Sequence, residues 1–164
     1  MRLNTRWIAL ATAATLCLTP VAQAVQADDI VGVWVSEGGK GRVEISKKGS
    51  VYSGRIVWLA EPDYPEADPN AGEPKRDLNN PDEKLRDRPI VGLTVLKDFE
   101  FDGKQTWTKG TIYDPENGKT YKCKITMQGD EMHVRGYIGI SLIGRTTVWK
   151  RYVEPEEDEE EAAS

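Results

Sequence analysis

The side chains that ordinarily carry catalysis are few and isolated in this 164-residue chain. His133 is the single histidine. Met132, Val134 and Ile138 face one way and His133 and Arg135 the other, so a strand here sets His133 on its wet side. A lone imidazole in that position is a solvent-exposed residue before it is a general base. With one histidine and two cysteines the chain is short of zinc ligands. The run from Gly139 through Ser141 to Gly144 does not have the nucleophile-elbow spacing. Gly38-Gly39-Lys40-Gly41 lacks the length of a phosphate loop and the hydroxyl after its lysine. No carboxylates pair on a shared interior face. Asp63, Asp68, Asn70, Glu73, Asp77 and Asp82 offer oxygen ligands of the kind calcium takes. Asp68-x-Asn70-x-Gly72-Glu73 superficially resembles the start of a helix-flanked calcium loop, but the later glutamate and the helices are missing, so a solvated loop is the simpler reading. Neither an enzyme nor a cofactor or metal is expected.

What remains is aromatic. Trp34, Tyr52, Trp58, Trp107 and Tyr121 are spread over separate extended segments. Turned inward together, they can line a cavity for an apolar ligand, with Arg145 or Arg55 holding a polar head. They can equally fill the interior and leave no room.

The segments that must position them are short and β-like. Val31–Ser36, Arg42–Lys47, Val51–Ala60, Ile90–Leu96, Thr106–Tyr113, Lys119–Met127, a strand through Met132 and Val134, and Ile143–Tyr152 carry β-branched and aromatic residues between turn signals. In the third, the even positions Tyr52, Ile56, Trp58 and Ala60 are the more apolar set and are placed inward. Tyr121, Cys123, Ile125 and Met127 alternate with Lys122, Lys124 and Thr126, which predicts one dry and one wet face. Glu37–Lys40, Lys48–Ser50, Asp114–Gly118 and Gly129-Asp130 read as turns. Lys97–Lys104 contains a short turn, with Phe99 and Phe101 able to plug one end. Gly139–Leu142 is a weak turn. The fold class is all-β: about eight antiparallel strands in an up-and-down barrel, with a two-sheet sandwich as the alternative.

One connection breaks the rhythm. Glu61–Pro89 holds six of the nine prolines, which excludes a long strand or helix, with room for about one helical turn at Asp82–Arg86. So long a connection is uncommon in a compact domain unless it is functional or disordered. Residues 61–72 are expected to be mobile and Asp77–Leu93 to pack on the barrel. Leu85 and Pro89 supply the contacts there, and Arg86 or Arg88 pairs with Asp77 or Asp82. These residues would form a lid, a brace or a partner-binding surface.

The ends read differently. Arg2 and Arg6 precede an apolar run of 11 residues, Ile8–Leu18, too short for a bilayer, which needs about 20. Ala22-Gln23-Ala24 follows as a small-x-small site. Residues 1–24 are therefore read as a signal peptide, with cleavage after Ala27 as the alternative, and the protein as exported to the periplasm or the exterior. The rest, 30–153, is the barrel domain with its 61–89 loop, and no segment is expected to span a membrane. Cleavage leaves Cys123 as the one cysteine, so the core forms without an internal disulfide. Residues 154–164 form an acidic tail, expected to be disordered. Setting aside the leader's two arginines and the tail's seven acids leaves 20 basic and 20 acidic residues. No basic stripe is available for nucleic acid.

Gly32-x-Trp34 at the first strand and Arg145 in the last resemble the opening and closing of lipocalin and calycin barrels, where the arginine packs over the tryptophan. More specifically, the chain resembles an exported bacterial family, domain of unknown function family 2147. The matching residues are Gly32-x-Trp34, Asn80-Pro81-Asp82, Leu85-Arg86-x-Arg88-Pro89, Gly92-Leu93, Gly110–Tyr121, Arg135-Gly136-Tyr137 and Arg145–Trp149. The resemblance implies a lipocalin-like fold and export, and no established activity. The function expected is binding of a small hydrophobic or amphipathic ligand, with cavity candidates Trp34, Tyr52, Trp58, Tyr121 and Arg145. The alternative is an envelope interaction protein with a filled barrel, presenting Asp77, Asp82, Leu85, Arg86 and Arg88 to a protein partner.

Overall fold

The computed structural model describes residues 24–155. The leader, apart from Ala24, and the acidic tail, apart from Glu154 and Pro155, lie outside the described residues. Nine strands follow one another: β1 (Gly32–Val35), β2 (Gly41–Lys48), β3 (Val51–Leu59), β4 (Thr94–Phe101), β5 (Thr106–Thr108), β6 (Thr111–Asp114), β7 (Lys119–Gln128), β8 (Glu131–Tyr137) and β9 (Gly144–Arg151). All pairings are antiparallel, and β3 pairs with β4 to close the sheet on itself. β5 and β6 lie end to end between β4 and β7, since each pairs with both. The barrel therefore has eight strand positions, the size that side chains can fill or that can hold one small ligand.

The break between β5 and β6 has a steric origin. Lys109 takes a positive φ of 64° and Gly110 follows it. A Cβ on Gly110 would come within 2.4 Å of the Phe99 ring. On the partner strand Asp98 also turns through a positive φ of 61°. The wall kinks here so that Phe99 can enter the core.

That core fills one end. Trp34, Tyr52, Phe99, Trp107, Ile125 and Met132 are all buried. Tyr52 meets Trp107 edge to face, with centroids 6.4 Å apart. A buried aromatic needs a partner for its polar atom, and the segment before β1 supplies three. Trp34 Nε1 donates to Ile30 O at 2.8 Å, Trp107 Nε1 to Ala27 O at 3.1 Å, and Tyr52 Oη to Asp28 Oδ1 at 2.8 Å. Asp28 also pairs with Lys47 at 2.6 Å, and that bond, with the Tyr52 hydroxyl, holds its carboxyl below the usual range. The same segment thus stoppers the barrel.

Several expectations change. Trp58 faces outward. The β2–β3 register shifts between Arg42 and Val43, which pair with Trp58 and Ile56. Val57 is the extra residue, and such a bulge reverses the inward phase beyond it. Trp58 then stacks under the Arg42 guanidinium at 4.3 Å, with Tyr152 at 3.8 Å from the same group. Arg145 does not cover Trp34. Arg151 does, 4.4 Å from the ring centroid, because β1 and β9 overlap only at Trp34↔Arg151 and Val35↔Lys150. Arg151 also donates to Val31 O at 3.0 Å and to Asp29 O. Gly32 leaves room for it: a Cβ there would lie 2.8 Å from Arg151 Nη1. The fourth strand starts at Thr94 rather than Ile90 and continues to Phe101, so the expected turn falls at the end of its span, where Asp102 accepts from Lys104 N at 2.8 Å. His133 is half-buried rather than exposed, with Nε2 3.8 Å from Glu131 Oε2.

The long connection has structure of its own. Tyr64 N donates to Glu73 O and Lys75 N to Pro62 O, at 2.9 and 2.8 Å, folding residues 62–75 back on themselves. A 3-10 turn at Glu83–Leu85 is capped by Asp82, whose side chain accepts from Lys84 N. Gly92 N donates to Ile56 O and Ile56 N to Leu93 O, delivering the chain into β4 beside the bulge in β3. Ile90 and Leu93 carry the buried apolar contact. Pro89 does not, being exposed, and Leu85 is half-buried.

Candidate functional site

The other end of the barrel is open. A cavity of about 850 Å³ occupies it, within the range of small-molecule sites. Its walls are the inward-phase residues of the upper strands: Val43 from β2, Ile56 and Leu59 from β3, Val95 from β4, Ile112 from β6, Val134 and Gly136 from β8, Thr147 and Trp149 from β9. Leu59 points in because of the bulge that turned Trp58 out. Gly136 adds room where a side chain would otherwise stand: a Cβ there would be 3.4 Å from Ile112 and 3.7 Å from Tyr121. Trp149 is buried at the floor, its Nε1 donating to Thr147 Oγ1 at 3.0 Å.

The rim carries both polar and aliphatic groups. Arg145 pairs with Glu37 at 2.7 Å, linking β9 to the neighbouring β1–β2 turn, and Lys40 reaches Glu116 of the β6–β7 turn at 3.9 Å. Asn117 Nδ2 donates to Asp114 Oδ2 at 2.7 Å and to Tyr121 Oη at 3.1 Å. Between these two groups, the β8–β9 connection contributes Ile138 and Ile143.

Of the cavity candidates chosen from sequence, Tyr121 and Arg145 line the cavity and Trp34, Tyr52 and Trp58 do not. Trp34 and Tyr52 belong to the filled end, and Trp58 to the outer surface. Arg55 is outside too, paired with Glu44 at 2.7 Å. Thr147 and Trp149 line the cavity as well. The period of two in β9 puts Arg145, Thr147, Trp149 and Arg151 on one face, so that phase was the available signal.

The 77–93 strap lies against the barrel wall. Leu85 and Arg88 line a second cavity, against the wall at Val95 and Tyr113, but none of Asp77, Asp82, Leu85, Arg86 and Arg88 lines the one at the mouth, from which the strap stands apart. It is a brace built on one buried carboxylate. Asp77 is fully buried. Its Oδ1 accepts from Tyr113 Oη at 2.5 Å, and its Oδ2 from Asn80 Nδ2 at 2.8 Å and Arg88 Nη2 at 3.0 Å. Three donors, one of them charged, offset the cost of burying a carboxylate. Arg86 instead holds Asn80 O at 2.9 Å. Asn79 Nδ2 reaches the β6–β7 turn at Pro115 O and Glu116 O, 3.2 and 2.9 Å away. Gly118, at φ +70°, gives Asn79 O its place, since a Cβ would be 1.8 Å from it. Tyr113 lies on the cavity wall and is gripped by the strap from outside. Burial first, and then the bond to Asp77, push its phenol up to about 12.

Cys123 is a buried free thiol, pushed up to about 12 by that burial, which removes thiolate character. Asp68 is committed to its own turn, accepting from Asn70 N at 2.8 Å. Among the described residues no group of three or more His, Cys, Asp or Glu converges as metal ligands. None of the described helices is long and apolar enough to cross a membrane.

The profile of a bacterial family, described as "Uncharacterized protein conserved in bacteria (DUF2147)", matches residues 32–151. The chain belongs to that family. Among solved structures it is similar to protein HP1028 from Helicobacter pylori, described as belonging to the lipocalin family. The TM-score is 0.65 at 21% identity, covering 77% of this chain and 85% of that one. The likeness is one of fold. No curated protein matches the chain.

Proposed function

We propose that this protein is an exported binding module that carries or senses one small hydrophobic or amphipathic molecule in the open half of its barrel. The observation that carries the reading is the cavity itself: about 850 Å³, largely apolar in its walls, with its charged groups at the rim. An amphiphile fits that division. Its chain would lie against Val43, Ile56, Val95 and Trp149, and its head would meet Arg145, Tyr121 and Asn117 at the mouth. Arg145 is already paired with Glu37, so a head group competes with that carboxylate rather than meeting a free cation. We assign the protein no catalytic role, and its site in the bacterial envelope is part of the proposal.

Native mass spectrometry of the protein purified from its source organism tests this. A co-purifying mass of lipid size supports the reading. Its absence, with no mass shift after exposure to a total lipid extract, would contradict it. Gly136→Leu is the control, because a side chain there grows into the cavity from a position where its Cβ already has ordinary contact distances. That variant should fold and emerge empty.

A further inference from the structure

The β8–β9 connection is the most exposed apolar feature of the described residues. Ile138, Ile140, Leu142 and Ile143 show 68%, 59%, 85% and 68% of their surface, and the segment Ile138–Gly144 contains no charged residue. Scattered exposed aliphatics are ordinary. Four within six positions at the mouth of a cavity are not. Ile138 and Ile143 also line the cavity, so apolar surface runs without a break from the loop tip into the barrel.

We propose that this loop is a bilayer-docking lip, through which the cavity takes up a membrane-resident amphiphile; the second half of the proposal rests on the carrier reading above. Three observations favour a bilayer over a protein surface. The side chains are aliphatic, whereas the anchors of protein interfaces are drawn mainly from tryptophan, tyrosine and arginine. The loop satisfies much of its own backbone, which lowers the cost of leaving water. Ile138 N donates to Ile143 O at 3.2 Å, Ile143 N to Ile140 O at 3.1 Å, and Arg135 donates to Ser141 O and Leu142 O at 2.7 and 3.2 Å. Finally, the lip is continuous with the cavity, so an acyl chain can pass from one to the other without crossing water. The cations on the two strands that carry the lip's ends are engaged, Arg135 with those carbonyls and Thr146 and Arg145 with Glu37. Docking is therefore driven by apolar insertion, with little dependence on salt or on lipid charge.

The test is flotation of the whole chain with vesicles of phosphatidylcholine alone and of equal parts phosphatidylethanolamine and phosphatidylglycerol. The same assay is run on the double variant Ile140→Ser, Leu142→Ser. Neither residue lines the cavity, and both are exposed, so the variant keeps its fold. The wild-type chain should float with both vesicles, and the variant should lose at least about tenfold in partition. A fluorescent fatty-acid analogue, offered from solution below its aggregation concentration, should bind both proteins alike. A wild-type chain that stays off both vesicles overturns the proposal. So does a variant that floats as well as wild type, flotation only with anionic vesicles, or a chain that dimerises through the lip and ignores lipid. Flotation of a chain that binds no analogue would uphold the docking lip and overturn the carrier reading.

Discussion

The two ends of the barrel are made from the same strands and reach opposite outcomes. At the closed end most inward positions carry large side chains, and the chain before β1 is laid across the opening as a stopper. The polar atoms of Trp34, Trp107 and Tyr52 are taken up by Ile30, Ala27 and Asp28. At the open end the inward positions above Trp149 are Val, Ile, Leu, Thr and Gly, and the mouth is spanned by the exposed pair Lys40–Glu116, 3.9 Å apart, rather than by a packed segment. The long connection, which has the length to cross it, is pinned to the outer wall by Asp77. The difference teaches that residue size along one strand phase decides whether a small barrel is core or container. In β8 the phase reads Met132, Val134, Gly136 from the closed end to the open one, a steady loss of volume.

The sharpest way to break this comparison is to truncate one residue in each half. Trp107→Ala should cost about 3–5 kcal/mol in denaturant unfolding, while Tyr121→Ala at the mouth should cost under about 1 kcal/mol. Equal losses would mean that the open end is packed after all. Next comes the brace. Arg88→Ala leaves the buried Asp77 carboxylate with two neutral donors, and a loss of about 1–3 kcal/mol is expected. Proteolysis within residues 77–93 should quicken in the same variant.

A smaller contrast separates the two arginines of β9. Arg151→Ala removes the stack on Trp34 and two carbonyl contacts, and should cost about 1–2 kcal/mol. Arg145→Ala breaks only an exposed pair with Glu37 and should stay within about 0.5 kcal/mol. A separate expected effect is alkaline. Tyr113 ionises near its ordinary 10.0 in the unfolded chain and is pushed up to about 12 in the folded one. Its contribution is therefore complete below about pH 10 and is lost as pH rises toward 12. Cys123, raised from 9.0 to about 12, acts in the same direction over a window that opens lower. Denaturant midpoints measured across that range should fall, and Tyr113→Phe should shallow the fall without abolishing it.

Much of this fold can be read from the residues, and the failures have definite causes. Alternation in β7 and the Asp114–Gly118 turn place that hairpin directly, since each rests on local chemistry. The inward phase of Trp58 does not survive, because a bulge at Val57 leaves no mark in a run of apolar residues. Arg145 and Arg151 share a phase, so alternation alone cannot say which one covers Trp34. That depends on the β1–β9 register, a long-range fact. The strap shows the same division. Its prolines and ion pairs announce an ordered connection, yet the hub joins Asp77 to Tyr113 across 36 residues, and nothing local to either predicts the other. The cavity is the hardest feature to foresee, because an empty space is set by what six strands withhold.

The central claim, that the open half holds an amphiphile above Trp149, is tested most directly by fluorescence quenching. A brominated fatty acid is titrated below its aggregation concentration into the wild-type chain and into Trp149→Phe. The account predicts saturable quenching in the wild-type chain, most of it lost in the variant, because Trp34 and Trp107 lie sealed in the filled end. No saturable quenching, or quenching that persists undiminished without Trp149, would contradict it.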